Sequence, residues 1–493
     1  MNKLALKAPT LLLRRATMLV ACATSASAYA GGGDAILRVG PGAGCDFPTL
    51  QQAIDAASPN PDTLTTIRLS TNVNNQTLSI LSRNITIDGR YLTCDVNTPL
   101  DTLRQTIDGT ESDTVISIDN ELAGTRNVTL RNVIIRDGGG NGVFSVGGGL
   151  DIRGSVSVDL LNSYVSDNEA TVGGGIYLTG SGASLTIDGG TIIGEQGGVV
   201  GNRALSDNAL IAQGGGIACF ASARLIINDG RIRANSSTND GGGVYLNNCD
   251  VTIEPRPEFV GEGDGFVTLF QNTAERNGGG LFATNGTDVF WRSLPAGAFG
   301  GLASENIAQE RGGAVFITGL SNFVGNWLRF DDNEADDRGG TFAVEDTSNL
   351  ILRGGPGFSC SGLDCPGIYG TRGITEGETA TLVGGAIYAE SGSTVDLRQQ
   401  RLYENRARIG SAMFLTGSTT EADLRSVLIA RNVLYRLGNS ASTVDLSQSA
   451  KIQMRYVTMA GNFRVANAFP LVERALASIR ANGNSSTVEI RNS

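Results

Sequence analysis

The 493-residue chain contains no histidine. That removes the side chain that most often serves as a general base near neutral pH and the commonest neutral metal ligand. Histidine-dependent triads and histidine-type zinc or iron sites are therefore excluded. Lysine is nearly missing as well: past residue 30 only Lys451 remains, and the other cations are arginine. Long apolar runs are lacking too. Ala16 to Ala23 is far shorter than the roughly 20 residues needed to cross a bilayer as a helix, and later apolar stretches are broken by Gly, Asn or Asp. Past residue 30 the chain carries 34 basic and 49 acidic residues, a net charge of −15. Nucleic acid and anionic membrane surfaces both require a basic footprint, so neither is an expected partner.

What is present begins with an export signal over residues 1–30. Lys3, Lys7, Arg14 and Arg15 form a basic start, Ala16 to Ala23 the apolar run, and Ala28-Tyr29-Ala30 a small-residue cleavage site. The mature chain is expected to start near Gly31 and to be extracellular, on the cell surface or periplasmic. Leu19-Val20-Ala21-Cys22 is a competing lipobox that would anchor the chain through a lipid on Cys22, but its apolar run is short. Six cysteines follow, an even number in an oxidising setting, so disulfides are expected. Cys45 is expected to pair with Cys94 and Cys360 with Cys365. Cys219 and Cys249, at similar places in successive repeats, either bridge neighbouring units or stay buried thiols.

Glycine supplies 67 residues without a period of three. Its pairs and triplets start at Gly147, Gly173, Gly214, Gly241, Gly278, Gly312, Gly339 and Gly384, at intervals of 26, 41, 27, 37, 34, 27 and 45. A unit of 26 or 27 residues with insertions accounts for them. Each unit reads as three short strands, as in Gly175-Ile176-Tyr177-Leu178, then Leu185-Thr186-Ile187-Asp188, then a third of the form apolar-x-x-Asn. The asparagines are Asn168, Asn202, Asn235, Asn272, Asn306, Asn333, Asn405, Asn432 and Asn462, usually followed two residues later by a small residue such as Ala170 or Ala335.

Three strands per unit make three faces of one coil, and the expected fold is all-β: a right-handed parallel β-helix with a short N-terminal capping helix. Equivalent residues of successive rungs then stack about 4.8 Å apart. Asparagine suits the corner because it tolerates the left-handed backbone region and its amide can bond to the amides above and below. Glycine pairs provide positive φ and close backbone approach. The expected divisions are a cap with the first rungs over 31–146, repeats over 147–469, and a C-terminal segment over 470–493. In that segment Pro470 to Ala481 reads as helical, a partial cap or an insertion.

Gly384-Gly385-Ala386-Ile387 and Phe330-Asp331-Asp332-Asn333 resemble the GGAI and FxxN repeats of polymorphic outer-membrane protein passengers, a likeness that covers Gly147 to Asn462. Asp46-Phe47-Pro48-Thr49-Leu50-Gln51-Gln52-Ala53-Ile54-Asp55-Ala56-Ala57 resembles the opening of pectin-lyase-like β-helices. There a short helix covers the first rung, and Leu50, Ala53, Ile54 and Ala57 would face the open end. Passengers are followed by a membrane barrel, whereas here the sequence closes on Glu489-Ile490-Arg491-Asn492-Ser493, which resembles the start of another strand.

Such scaffolds host lyases, hydrolases, esterases and non-enzymatic adhesins, so the fold leaves the function open. Hydrolysis of the polygalacturonase type needs a Gly-His-Gly that this sequence lacks, whereas elimination needs only carboxylates for calcium and a basic residue. Asp331, Asp332, Asp336 and Asp337 form the best acidic cluster, read either as a Ca2+ site or as a solvated corner. The solvated corner is the stronger reading, because Asn333 and Ala335 already serve the repeat. Gly261-Glu262-Gly263-Asp264-Gly265 is a single weaker match. The insertions Gly194 to Gln213, Pro255 to Gly265, Trp291 to Leu302 and Gly354 to Thr381 are the expected recognition loops. Trp291, Phe299, Phe358 and Tyr369 either stack on sugars or pack the loops onto the coil. The leading expectation is a surface or secreted adhesin-like binding protein whose partner is a polysaccharide or a host or cell-surface protein. The alternatives are a polysaccharide lyase using calcium or arginine and a structural envelope protein.

Overall fold

Apolar residues at alternate positions give each short segment one side to hide, and the glycine pairs and asparagine corners turn the chain before a strand can lengthen. The computed structural model describes residues 35–139, 144–206, 211–254, 267–292, 301–354, 366–371, 383–435, 442–464, 474–475, 478–483 and 485–492, and it is a right-handed parallel β-helix. Each rung passes through a first face, as at Ile176–Thr179, a second, as at Ser184–Asp188, and a third, as at Thr191–Gly194. Among the described residues these faces stack 13, 15 and 12 strands. Ile176, Leu178, Leu185, Ile187 and Ile193 are fully buried in the tube. Each such side chain contributes about 1.5–3 kcal/mol on burial, so the stack of rungs supplies the stability.

A fourth, two-residue strand follows each asparagine and was not foreseen in the sequence. Glu169–Ala170 pairs with Arg203–Ala204 and starts a ladder of six such strands. The small residue after the asparagine is its inward member. Ala170, Ala204, Ser237, Ala274, Ala308, Ala335 and Ala407 are all at most 2% exposed, and in the rung after Ala407 the equally buried Leu434 takes the same position.

The asparagines form a buried ladder along the axis. Asn168, Asn202, Asn235, Asn272 and Asn306 each donate from Nδ2 to Oδ1 of the next, at 2.9–3.0 Å, ending on Asn333. A second run joins Asn405, Asn432 and Asn462. The left-handed residue, however, is the one before the asparagine, as at Asp167, Ala234, Gln271, Glu305, Asp332, Glu404 and Arg431. The asparagines therefore hold the corner through hydrogen bonds rather than through a tolerated backbone angle. The first glycine of each pair does carry positive φ, +66° at Gly173. The second is required by closeness, since a Cβ on Gly174 would meet Arg203 O at 2.3 Å.

The helix Leu50–Ala56 covers the N-terminal end, with Thr49 Oγ1 accepting from Gln52 N and Leu50, Ala53 and Ile54 buried in the core. The second face stacks without a break from Ala35–Val39 to Thr487–Arg491, across residues 146 and 469. The helical expectation for Pro470 to Ala481 is corrected where residues are described. Arg474–Ala475 and Ile479–Asn482 are strands, and Ile479 pairs with Val444 on the first face. A ready sheet edge outweighs the local helix propensity of an Ala-rich segment.

Candidate functional site

The coil's corners are not equivalent. Connections from the first face to the second never exceed five residues. The long segments 89–104, 254–266, 292–300 and 354–366 join the second face to the third, and 205–216, 370–386 and 435–443 lead back to the first. The third face and the short ladder beside it thus lie between the two borders at which the connections are long.

On this face outward residues of successive rungs build an arginine–tyrosine column. Asp331, Tyr369 and Tyr403 are in register, and so are Arg329, Gly367 and Arg401. The Arg329 guanidinium lies 5.3 Å from the Tyr369 ring centre and pairs with Asp331. The Tyr369 and Tyr403 rings are 6.2 Å apart. Arg431 lies 5.5 Å over the Tyr403 ring, donates to its hydroxyl at 2.9 Å and pairs with Glu404 at 3.1 Å. Burial pushes the Tyr369 phenol up, opposed by Arg401 and Arg329, and pushes the Asp331 carboxyl up, opposed by Arg329. Arg329 and Arg431 are thus each held between an aromatic ring and a carboxylate of the chain itself.

The four acidic residues singled out from the sequence fall around this corner but do not converge. Asp331 faces Arg329, Asp332 occupies the left-handed turn, and Asp337 pairs with Arg338 at 3.3 Å on the way back to the first face. Burial raises the Asp336 carboxyl. No group of three or more Cys, Asp or Glu suited to a metal ion occurs among the described residues. Trp291 is a core residue, fully buried with its ring edge-on to Phe323 and Phe330 at 6.5 Å. Gly301 makes room for it, because a Cβ there would meet Trp291 Nε1 at 2.2 Å. Phe299, Phe358, the Gly261 to Gly265 segment, residues 1–30 with Cys22, and Cys360 and Cys365 lie outside the described residues. Cys45 is bonded to Cys94, and Cys219 to Cys249 across neighbouring rungs.

A second constellation went unnoticed in the sequence. The outer column of the first face runs Tyr177, Ala218, Tyr245, Phe282, Phe316, Ala343, Tyr388, Phe414. Its neighbouring rings lie 5.0–5.7 Å apart, stacked at Tyr245–Phe282 and Tyr388–Phe414 and tilted elsewhere, and Phe220 leans over to fill the gap left by Ala218. At Ala343 the corresponding neighbour is Glu345. Arg311 reaches Glu345 at 2.9 Å, and Arg338 Nη1 lies 3.9 Å from Glu345 and 3.2 Å from Glu390. Arg338 sits 5.0 Å over the Tyr388 ring, whose hydroxyl donates to Glu390. Burial drives the Glu345 carboxyl up to about 7 against the pull of Arg311, with Glu390 adding to the rise. The available signal was Arg-Gly-Gly in successive units, at Arg311 and Arg338. No protein-family model, curated protein or solved structure gives a significant match to this chain.

Proposed function

We propose that this chain is an exported, adhesin-like binding protein that holds an acidic polysaccharide against its third face and performs no catalysis. The supporting observation is that the long insertions border this face on both sides, flanking the column Arg329, Tyr369, Arg401, Tyr403 and Arg431. Guanidinium groups pair with sugar carboxylates in two-pronged fashion, and Tyr403, part-exposed above the buried Tyr369, provides rigid amphipathic contact at low entropic cost. Titrating the mature protein with a uronate polymer and with the same polymer after carboxyl reduction tests the reading. Binding to the acidic form, weakened about tenfold by Arg401→Ala, supports it. Equal binding to both forms, or none, overturns it. N-terminal sequencing of protein recovered outside the cytoplasm tests export, with a start near Gly31 expected and a lipidated Cys22 the competing result.

One observation favours a second reading, a polysaccharide-processing enzyme of the pectin-lyase-like class. Glu345 and Glu390 share Arg338, and Glu345 is pushed into the range of a general acid or base near neutral pH. Release of unsaturated or reducing ends from acidic polysaccharides, abolished by Glu345→Gln, supports that reading. An inert protein across such a panel removes it.

A further inference from the structure

The outer side of the second face carries, over its last rungs, a row of arginines beside a row that contains three carboxylates. Arg353, Arg398, Arg425, Arg455 and Arg491 occupy one register position in five consecutive strands. Two residues before each stand Ile351, Asp396, Asp423, Gln453 and Glu489, forming the neighbouring row. Within a rung the rows are tied together: Arg398 to Asp396 at 2.8 Å, Arg425 Nε to Asp423 at 3.0 Å, Arg455 to Gln453 at 3.2 Å, and Arg491 Nε to Glu489 at 2.6 Å. Along a row, like charges follow one another at the rung spacing of about 4.8 Å. Asp423 Oδ1 has no hydrogen-bond partner.

From Arg398 onward the turns at the edges of this face, 399–400, 426–427 and 456–457 on one side and 417–420 and 448–450 on the other, are four residues or fewer, whereas the 13-residue segment 354–366 follows Arg353. A groove of about 460 Å3 runs across Thr394, Asp396, Glu421, Asp423, Lys451 and Glu489.

We propose that this face docks a second copy of the chain, related by a twofold axis parallel to the coil. Such an axis, placed between the two rows, lays the arginine row of each copy over the neighbouring row of the other, so that Arg398, Arg425 and Arg491 face Asp396, Asp423 and Glu489. A partner must present both signs in adjacent rows at the rung spacing, and the chain itself carries that pattern. A linear polyanion would meet Asp396, Asp423 and Glu489 together with the arginines and be repelled by them. The contact is isologous, so it closes as a dimer. Its pairs are solvent-exposed, so it weakens with salt. The inference is independent of any ligand on the third face.

Sedimentation of the mature protein at low and high salt, with charge-reversed variants, tests it. The wild type is expected to dimerise at low salt and dissociate at high salt. Arg425→Asp alone and Asp423→Arg alone should each weaken self-association at least about tenfold. Mixing the two variants should restore a mixed dimer, because the doubly acidic rows of one then face the doubly basic rows of the other. A monomeric wild type at low salt, or variants that fail to pair when mixed, overturns the proposal. So does a wild type that stays monomeric and binds a linear polyanion through Arg425. Circular dichroism of each variant separates lost pairing from lost folding.

Discussion

Thr371 stands in the asparagine ladder where the repeat calls for asparagine, and its hydroxyl lies 2.7 Å from Asn405 Oδ1 and 3.0 Å from Gly385 O. The ladder therefore runs in two lengths, Asn168 to Asn333 and Asn405 to Asn462, with Thr371 bonded to the head of the second. A hydroxyl can pass on one hydrogen bond, whereas an amide donates two.

The interior of the longer run should be far more sensitive than this junction. Asn272 Nδ2 donates to Asn306 Oδ1 at 3.0 Å and to Ile232 O at 2.9 Å, and its Oδ1 accepts from Asn235 N and Nδ2. Asn272→Ala strands those buried partners and should cost about 2–4 kcal/mol in chemical denaturation. Thr371→Ala, which strands fewer, should cost about 1–2 kcal/mol. Equal losses would contradict the ladder as the corner's main support.

Glycine positions should divide by space rather than by sequence context. At Gly174 a Cβ would lie 2.3 Å from Arg203 O and 2.6 Å from Gly215 O, both backbone atoms that cannot swing aside. Gly174→Ala should destabilise by about 3 kcal/mol or more, or block folding. At Gly42 a Cβ meets nothing within 4 Å, and Gly42→Ala should leave the melting temperature unchanged. Thermal melts of the two variants decide it.

Glu345 predicts the direction of the pH dependence. Its carboxyl titrates near 7 in the folded chain, raised from an ordinary value of 4.5 by burial. The folded state then holds a proton that the unfolded state has released between those values. The stability from this group is complete below about pH 4.5, falls as pH rises, and is lost above about 7. Glu345→Gln should flatten that slope and raise stability at pH 8 by roughly 1–3 kcal/mol, read from denaturation midpoints between pH 5 and 8. Asp137, also raised to about 7 by burial and by Asp108, adds slope of the same sign in the variant.

The bond between Cys219 and Cys249 closes a 30-residue loop around one rung. Replacing both with serine should lower stability by about 3–4 kcal/mol, because the unfolded chain regains the freedom of that loop. Comparison with the oxidised protein under non-reducing conditions measures it.

Periodicity carried the architecture. Glycine pairs and asparagines at a recurring spacing leave few arrangements other than stacked coils, because each rung exposes an apolar side that its neighbour must cover. The capping helix was legible from the resemblance of Asp46 to Ala57 to other β-helix openings and from the apolar spacing of Leu50, Ala53 and Ile54, whereas the Thr49 cap emerged only in the structure. The helical reading of Pro470 to Ala481 failed where Ile479 found an open strand beside Val444. Residues such as Asp331 and Trp291 stood out in the sequence by type, yet type did not disclose direction. Asp331 is taken up by Arg329, and Trp291 fills the tube between Phe323 and Phe330.

The sequence by itself determined the coil, its corners and its inward side chains, because these depend on local turn chemistry and on alternation along a strand. Only the tertiary structure decided which outward side chains meet. Glu345 comes to Arg311 from a distance of 34 residues, and five arginines align from rungs separated by insertions of unequal length. Stacking is what converts those unequal separations along the chain into equal steps in space.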